Sequence, residues 1–451
     1  MTRLFGTDGV RGVANRDLTP DLVYRLGWAS SNILADENLH KPVFLVGRDT
    51  RISGTMLEAA LVAGLTSAGA DVYLAGVIPT PGVAYLTRKH GYDAGVVLSA
   101  SHNPYEHNGI KLFSGNGYKL SDEIEDRIEA LVKSYDESRR DWPIGDKIGH
   151  RYEMTDAAQE YAEHLMDCIG VDLSGFRLAV DCANGASAPI APKLFRDLGA
   201  EVIPLGIEPD GLNINLGCGS TDLTTLASIV RSENCDLGLA FDGDADRMLA
   251  VDENGENVDG DMIMAIIAND MKRQGKLARN TLVATVMSNL GLLYMGKDNG
   301  IEIVRTQVGD RYVLEEMLRS GYLLGGEQSG HLILLEHTTT GDGMLSALRL
   351  LQALQNSAQS LGAARQIMKV FPQVLVNVQV TNENKNRSLL DEDVLKAIKR
   401  IETDLGEKGR IFVRASGTEA KIRVMVEGEF LSDIQQKADE VANLVRSRYG
   451  V

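Results

Sequence analysis

Short apolar runs alternate with helical patterns through the first three quarters of the chain. Residues 42–47 (PVFLVG), 71–75 and 93–98 (DAGVVL) have the length and apolar character of buried strands. Between them, 19–35 (Leu22, Val23, Leu26, Ile33) and 54–68 repeat at helical spacing. This alternation predicts βαβ units, whose ligands bind outside the carboxyl ends of the strands. Ser121 and Asp122 cap an amphipathic helix with Ile124, Ile128, Leu131 and Val132 on one face, and the polar stretch 134–155 reads as a linker. The scheme then recurs, with strands at 177–181 (RLAVD), 201–205 and 236–241 (DLGLAF) and helices to about 198 and over 222–232. It recurs again with a helix over 259–273, strands over 281–287 and 301–307, and helices over 311–319 and 343–355. Past 369 the rhythm changes. Strand 373–380 (QVLVNVQV), helix 391–404, strands 410–414 and 421–427, and helix 431–447 suggest antiparallel strands flanked by helices. The expected fold class is α/β: three consecutive α/β domains with mixed sheets (1–150, 151–255 and 256–368), then a C-terminal α+β domain (369–451).

A chain of 451 residues exceeds what one core serves, in keeping with several domains. Its 44% hydrophobic and 24% charged content is that of a soluble globular protein. No run of 18 apolar residues occurs and the N-terminus lacks a signal pattern, so neither membrane nor export is expected. Cys168, Cys182, Cys218 and Cys235 show no ligand-like spacing and read as reduced cytoplasmic thiols. With a net charge of −17 and no Lys/Arg stripe, the chain is not a nucleic-acid binder. An acidic protein that handles an anionic small molecule has to gather its cations locally.

Several segments could do so. Ser101 in Leu98-Ser99-Ala100-Ser101-His102-Asn103-Pro104 lies where apolar strand character gives way to a turn, a position open to ligands but also met in plain turns. A serine needs activation to do chemistry. Gly6-Thr7-Asp8-Gly9-Val10-Arg11-Gly12 offers close backbone approach and, in Arg11, a planar fork suited to phosphate, although by itself it reads first as a plain N-terminal turn, and Lys111 follows ten residues after the serine. Asp242-Gly243-Asp244-Ala245-Asp246-Arg247 spaces three carboxylates two residues apart, a set able to converge on one hard cation. Asp242, Asp244, Asp246 and Glu253 also match four places of a calcium-binding helix-loop-helix. However, Arg247 stands where that loop needs glycine, and both flanks read as strands, so calcium storage is rejected and a solvated acidic turn is the remaining alternative. Glu327, Ser329 and His331 in Gly325-Gly326-Glu327-Gln328-Ser329-Gly330-His331 suit a hydroxyl-bearing ligand, and a glycine-rich hairpin remains the other reading. Arg414-Ala415-Ser416-Gly417-Thr418-Glu419 forms an anion nest for a non-reacting phosphate.

GTDGVRG, ASHNP, DGDADR, GEQSGH and RASGTE, in this order and at these spacings, resemble the α-D-phosphohexomutase superfamily from residue 5 to about 428. PDGLNIN with CGST (209–220), QVGDRYV (307–313), GEQSGH and RVMVEG (423–428) are most similar to the bacterial branch that acts on glucosamine phosphates. Gln328 stands where relatives acting on mannose and glucose phosphates usually carry methionine, and Ala420 where a proline commonly follows GTE.

The resemblance implies four domains around a central cleft, with Ser101 carried as a phosphoserine. Mg²⁺ would be held by Asp242, Asp244, Asp246 and an oxygen on Ser101, and glucosamine 6-phosphate would become glucosamine 1-phosphate through a bound 1,6-bisphosphate that turns over. Glu327 and Ser329, beside His331, would hold the sugar hydroxyls, and Arg414, Ser416, Gly417 and Thr418 the idle phosphate. Arg11, Lys111 and Arg247 would line the transfer site, with Lys111 or His102 handling the proton. The partners expected are hexosamine phosphates, with a homodimer as one expectation, and the product would feed amino-sugar nucleotide synthesis for the cell wall. Two alternatives stay open: a relaxed mutase for glucose or mannose phosphates, and a non-catalytic sugar-phosphate sensor using the same cleft.

Overall fold

The computed structural model describes residues 3–6, 8–38, 40–136, 142–416 and 420–451. They form four sheets in two compact units, residues 1–287 with 299–367, and residues 288–298 with 368–451.

The first unit holds three sheets. In the first, strands run in the order Val10–Val13, His107–Ser114, Ala94–Leu98, Val43–Arg48, Asp71–Val77 and Arg151–Glu153. Ala94–Leu98, Val43–Arg48 and Asp71–Val77 are parallel; the first two are buried on both faces, which explains their near-continuous apolar sequence, whereas Asp71–Val77 buries Val72 and Leu74 and leaves the alternate residues half-buried. His107–Ser114 is antiparallel to Ala94–Leu98 and reads poorly from sequence because Asn108, Lys111 and Ser114 interrupt its apolar pattern. Arg151–Glu153 joins the sheet edge parallel to Asp71–Val77, so part of the stretch expected as a linker is a strand and the sheet continues past residue 150. Thr80–His90 is a helix that the sequence reading left out. The helices Pro20–Asn38, Gly54–Ser67 and Asp122–Lys133 pack their apolar sides on this sheet, and Ser121 caps the last by accepting from the Ile124 N–H.

The second sheet orders Asn257–Val258, Met248–Asp252, Leu237–Phe241, Arg177–Asp181 and Glu201–Leu205. Leu237–Phe241 and Met248–Asp252 are antiparallel, with Phe241 opposite Met248, so the acidic triplet is the tip of a β-hairpin and not a loop between helices. The third sheet orders Glu302–Thr306, Thr281–Thr285, Leu324–Gly326 and Leu332–Leu334. Gly325 pairs with Ile333, which makes 327–331 the turn of a hairpin.

In the second unit, Lys421–Gly428 lies between Gln373–Gln379 and Gly409–Ala415, antiparallel to both. Glu392–Leu405 and Leu431–Tyr449 supply apolar faces to its core. The helix Leu290–Asn299, absent from the sequence reading, begins in this unit, where the Leu290 N–H donates to the buried Glu427 Oε1 at 2.8 Å.

One buried pair joins two helices of the first unit. Asp342 caps Gly343–Ser357 by accepting from the Leu345 N–H at 2.9 Å, and its other oxygen accepts from Tyr161 Oη at 2.7 Å. Burial pushes the Asp342 carboxyl up to about 6, against the hydrogen bonds from Leu345 and Tyr161. The folded protein therefore binds this proton more tightly than the unfolded chain. The associated stability is full below the ordinary value of 3.8 and is lost as pH rises through about 6. Tyr161→Phe, which strands the Asp342 oxygen, should lower unfolding free energy by about 1–3 kcal/mol in urea titrations. Asp342→Asn should flatten the stability profile between pH 3.8 and about 6.

Candidate active site

Three residues after the buried strand Ala94–Leu98, Ser101 adopts a left-handed backbone with φ 52°. Such a conformation costs a non-glycine residue of order 1 kcal/mol and persists only where surrounding contacts impose it. Its hydroxyl donates to Asp242 Oδ2 at 2.5 Å and lies 3.3 Å from His102 Nδ1. Gly243, next along the acidic loop, has no room for a side chain, since a Cβ there would stand 2.6 Å from the Ser101 carbonyl oxygen. The hairpin tip can therefore close on the serine loop.

Asp242, Asp244 and Asp246 are all buried, and one oxygen from each lies within 4.8 Å of the others. Oδ1 of Asp244 and Oδ1 of Asp246 are buried and accept no hydrogen bond. Free lone pairs on converging carboxylates fit a small hard cation, for which oxygen ligands are the preferred donors. Burial, then the charges of Asp246 and Asp244, push the Asp242 carboxyl well above its usual range. Thr80 steadies the centre of the triad: its Oγ1 donates to Asp244 Oδ2 at 2.5 Å and its N–H to the Asp244 carbonyl at 3.0 Å.

Cations surround these carboxylates. Lys111, on His107–Ser114, is buried and places Nζ 2.8 Å from Asp244 Oδ2, 3.2 Å from Asp246 Oδ2 and 3.2 Å from Asp8 Oδ2. Burial alone would lower its pKa, but Asp244, Asp246 and Asp8 hold it well above the usual lysine value. Arg11 pairs with Asp8, and Arg247 lies 3.8 Å from Asp246 Oδ1 while its N–H donates to Asp242 Oδ1. Burial, then Arg247 and Arg11, lower the His102 pKa to about 4, so its imidazole is neutral at neutral pH.

Glu327, Ser329 and His331 occupy the hairpin turn of the third sheet. Glu327 Oε1 accepts from the Gly309 N–H at 3.1 Å, His331 Nε2 accepts from the Gly341 N–H at 3.2 Å, and Ser329 Oγ is buried without a hydrogen-bond partner. Gln328 is turned toward a helix start, donating from Nε2 to Asp259 Oδ2 at 3.0 Å. Sequence reasoning missed the link between this region and the serine domain. Lys119 Nζ lies 2.6 Å from both Asp8 Oδ1 and Asp310 Oδ2, and Asp310 lies 3.8 Å from His331. Nothing around Lys119 in sequence marks it. Asp8 and Asp310 sit inside motifs whose other residues drew attention first.

In the second unit, Arg414 lies next to the end of the strand Gly409–Ala415, directly opposite Arg423 on Lys421–Gly428, and the Ser416 N–H donates to the Lys421 carbonyl at 2.8 Å. Burial, then Arg423, lower the Arg414 pKa. Gly417 and Thr418 lie outside the described residues.

A serine hydroxyl set against converging carboxylates and ringed by cations has the chemistry of a phosphoryl-transfer site. Family models for the phosphoglucomutase/phosphomannomutase α/β/α domains match residues 2–139 (domain I), 159–255 (domain II) and 259–371 (domain III), and the C-terminal domain model matches 375–444. The chain belongs to the phosphoglucomutase/phosphomannomutase family, within the α-D-phosphohexomutases. It is 54% identical over 450 residues to the phosphoglucosamine mutase of Acetivibrio thermocellus, covering 100% of each chain. It is 51% identical over 448 residues to that of Clostridium tetani, covering 99% of this chain and 100% of the other. Among solved structures, a phosphoglucomutase/phosphomannomutase family protein from Burkholderia thailandensis superposes with a TM-score of 0.80 at 22% identity, over 99% of this chain and 98% of the other. Aspergillus fumigatus N-acetylphosphoglucosamine mutase, in complex with GlcNAc-6P and magnesium, does so with 0.69 at 20% identity, over 98% and 95%.

Thr80→Val, which removes the hydroxyl from Asp244, should raise the divalent-cation concentration that half-saturates the protein about tenfold, measured by calorimetric titration.

Proposed function

We propose that this enzyme interconverts glucosamine 6-phosphate and glucosamine 1-phosphate, with Ser101 as the group that gives and takes the phosphoryl. The observation that carries the reading is the Ser101 hydroxyl, 2.5 Å from a carboxylate of the buried Asp242, Asp244 and Asp246 cluster. Identity of 51–54% over essentially the whole chain to phosphoglucosamine mutases supports the substrate.

A metal ion suits the acidic cluster, and Mg²⁺ is the ion we assign, held by Asp242, Asp244, Asp246 and an oxygen on Ser101. When bound it would neutralise charge on the transferring phosphoryl. With Ser101 phosphorylated, the bond from phosphorus to Oγ breaks as one forms to O1 of glucosamine 6-phosphate, giving the 1,6-bisphosphate. The O1 proton must leave and Oγ must gain one. Of the two candidate groups, Lys111, held as a cation, answers the negative charge together with Arg11 and Arg247, and His102, neutral but a weak base with its pKa lowered to about 4, is left to take a proton only as the phosphoryl charge builds beside it. The bisphosphate then turns end over end, and its 6-phosphate returns to Ser101 by the reverse step, releasing glucosamine 1-phosphate.

Both ends of the sugar must reach one serine, so one fixed nest has to hold whichever phosphate is idle. Arg414 and Ser416, with Gly417 and Thr418, are assigned that role, supported by the guanidinium, hydroxyl and glycine amides that this turn of the sequence brings together. Glu327, Ser329 and His331 are assigned the sugar hydroxyls, a role favoured by the unpartnered Ser329 Oγ. The reaction belongs in the cytoplasm, where the free cysteines stay reduced. Among the described residues no helix is long and apolar enough to cross a membrane.

Ser101→Ala should abolish conversion of glucosamine 6-phosphate in a coupled assay while leaving the melting transition in place, and undiminished turnover would overturn the mechanism. Chelation should silence the wild type and added Mg²⁺ restore it. Side-by-side rates on the 6-phosphates of glucosamine, glucose and mannose should favour glucosamine, and equal rates would replace this reading with that of a relaxed mutase.

A further inference from the structure

Arg51 follows the strand Val43–Arg48, which runs parallel to Ala94–Leu98 with Arg48 beside Leu98, so the two strands deliver their following loops to the same place. Its side chain is wholly buried. A guanidinium carries five N–H donors in a rigid fork, and here each finds an acceptor. Nε donates to Asp49 Oδ2 at 2.8 Å. Nη2 donates to the carbonyls of Ser101 and Asn103, both at 2.8 Å. Nη1 donates to the His107 carbonyl at 3.1 Å and to that of Pro104. Four carbonyls of the serine loop thus converge on one side chain that touches neither the Ser101 hydroxyl nor the acidic cluster.

The same assembly holds the other side of the Ser101 backbone. Ser99 Oγ donates to Asp49 Oδ2 at 2.6 Å and accepts from the Ser101 N–H at 2.9 Å. From the second sheet's domain, Asn215 Nδ2 donates to the Ser101 carbonyl at 2.9 Å. With both its N–H and its carbonyl fastened, Ser101 keeps its left-handed φ of 52° and presents its hydroxyl to Asp242.

We propose that Arg51, with Asp49 and Ser99, is a positioning clamp that fixes the Ser101 backbone so that one serine serves both half-reactions. The inference rests on the mutase reading above. Transfer in each direction needs the oxygen in line with a phosphoryl or hydroxyl presented by either end of the sugar, and a shift near 1 Å costs such a step about 100-fold. Arginine is required because no other side chain offers five donors in a plane. Lysine keeps the charge beside Asp49 but offers three donors from a single nitrogen.

The test is Arg51→Lys in the full-length enzyme. The expected result is a fall in kcat of about 100-fold in both directions with KM for glucosamine 6-phosphate unchanged, the pattern of an interaction needed only at the transition state. Amide hydrogen exchange should accelerate across residues 99–107 and nowhere else. Wild-type kcat, a loss carried by KM alone, or unchanged exchange in that segment would each overturn the clamp. Should Arg51→Lys fail to fold, Ser99→Ala and Asn215→Ala each release one fastening of the Ser101 peptide and should each lower kcat about tenfold. Full kcat in both would overturn the proposal. Wild-type enzyme inactive on glucosamine 6-phosphate would instead overturn the mutase reading, and the exchange measurement would still judge the clamp.

Discussion

Three carboxylates buried together at one hairpin tip set the terms for the rest of the first unit. Two like charges about 4 Å apart repel by roughly 4 kcal/mol at an effective dielectric of about 20, and burial adds to that. The fold answers with cations drawn from separate parts of the chain, Lys111 from a neighbouring domain's sheet and Arg247 from the hairpin itself. It also leaves lone pairs on Asp244 and Asp246 without protein donors. A protein of net charge −17 thereby creates, at one point, surroundings suited to a metal ion and a phosphate.

The same electrostatic logic extends outward. Asp8 stands between Lys111 and Lys119, and Lys119 stands between Asp8 and Asp310, so opposite charges alternate from the acidic cluster to the edge of the hairpin that carries Glu327, Ser329 and His331. Burial opposes the charge on Asp8, yet Lys111, Lys119 and Arg11 keep its carboxyl well below the usual range. In the second unit the problem is inverted. Arg414 and Arg423 face each other across paired strands, two like charges set side by side.

Position depends on backbone as much as on charge. Ser101 holds an uncommon left-handed conformation with both peptide groups fastened: Arg51 and Asn215 donate to its carbonyl, and its N–H donates to Ser99 Oγ. Gly243 lets the acidic hairpin come close enough for Asp242 to meet the serine hydroxyl.

By itself the sequence determined the buried parallel strands, most helices and the motifs that carry chemistry. These depend on local periodicity and on residue types that few other roles require. It also determined that the acidic triplet lies between strands, since the flanks LGLAF and MLAVD pattern as such. Only the tertiary structure decided that His107–Ser114 is a strand despite its polar interruptions, that Arg151–Glu153 closes the first sheet, and that the helix Leu290–Asn299 begins in the C-terminal unit. Only it found Thr80, Lys119 and Arg51, because their partners lie 164, 191 and 50 residues away in the chain. A contact of that kind leaves no periodic trace, because what defines it is the meeting of two loops in space.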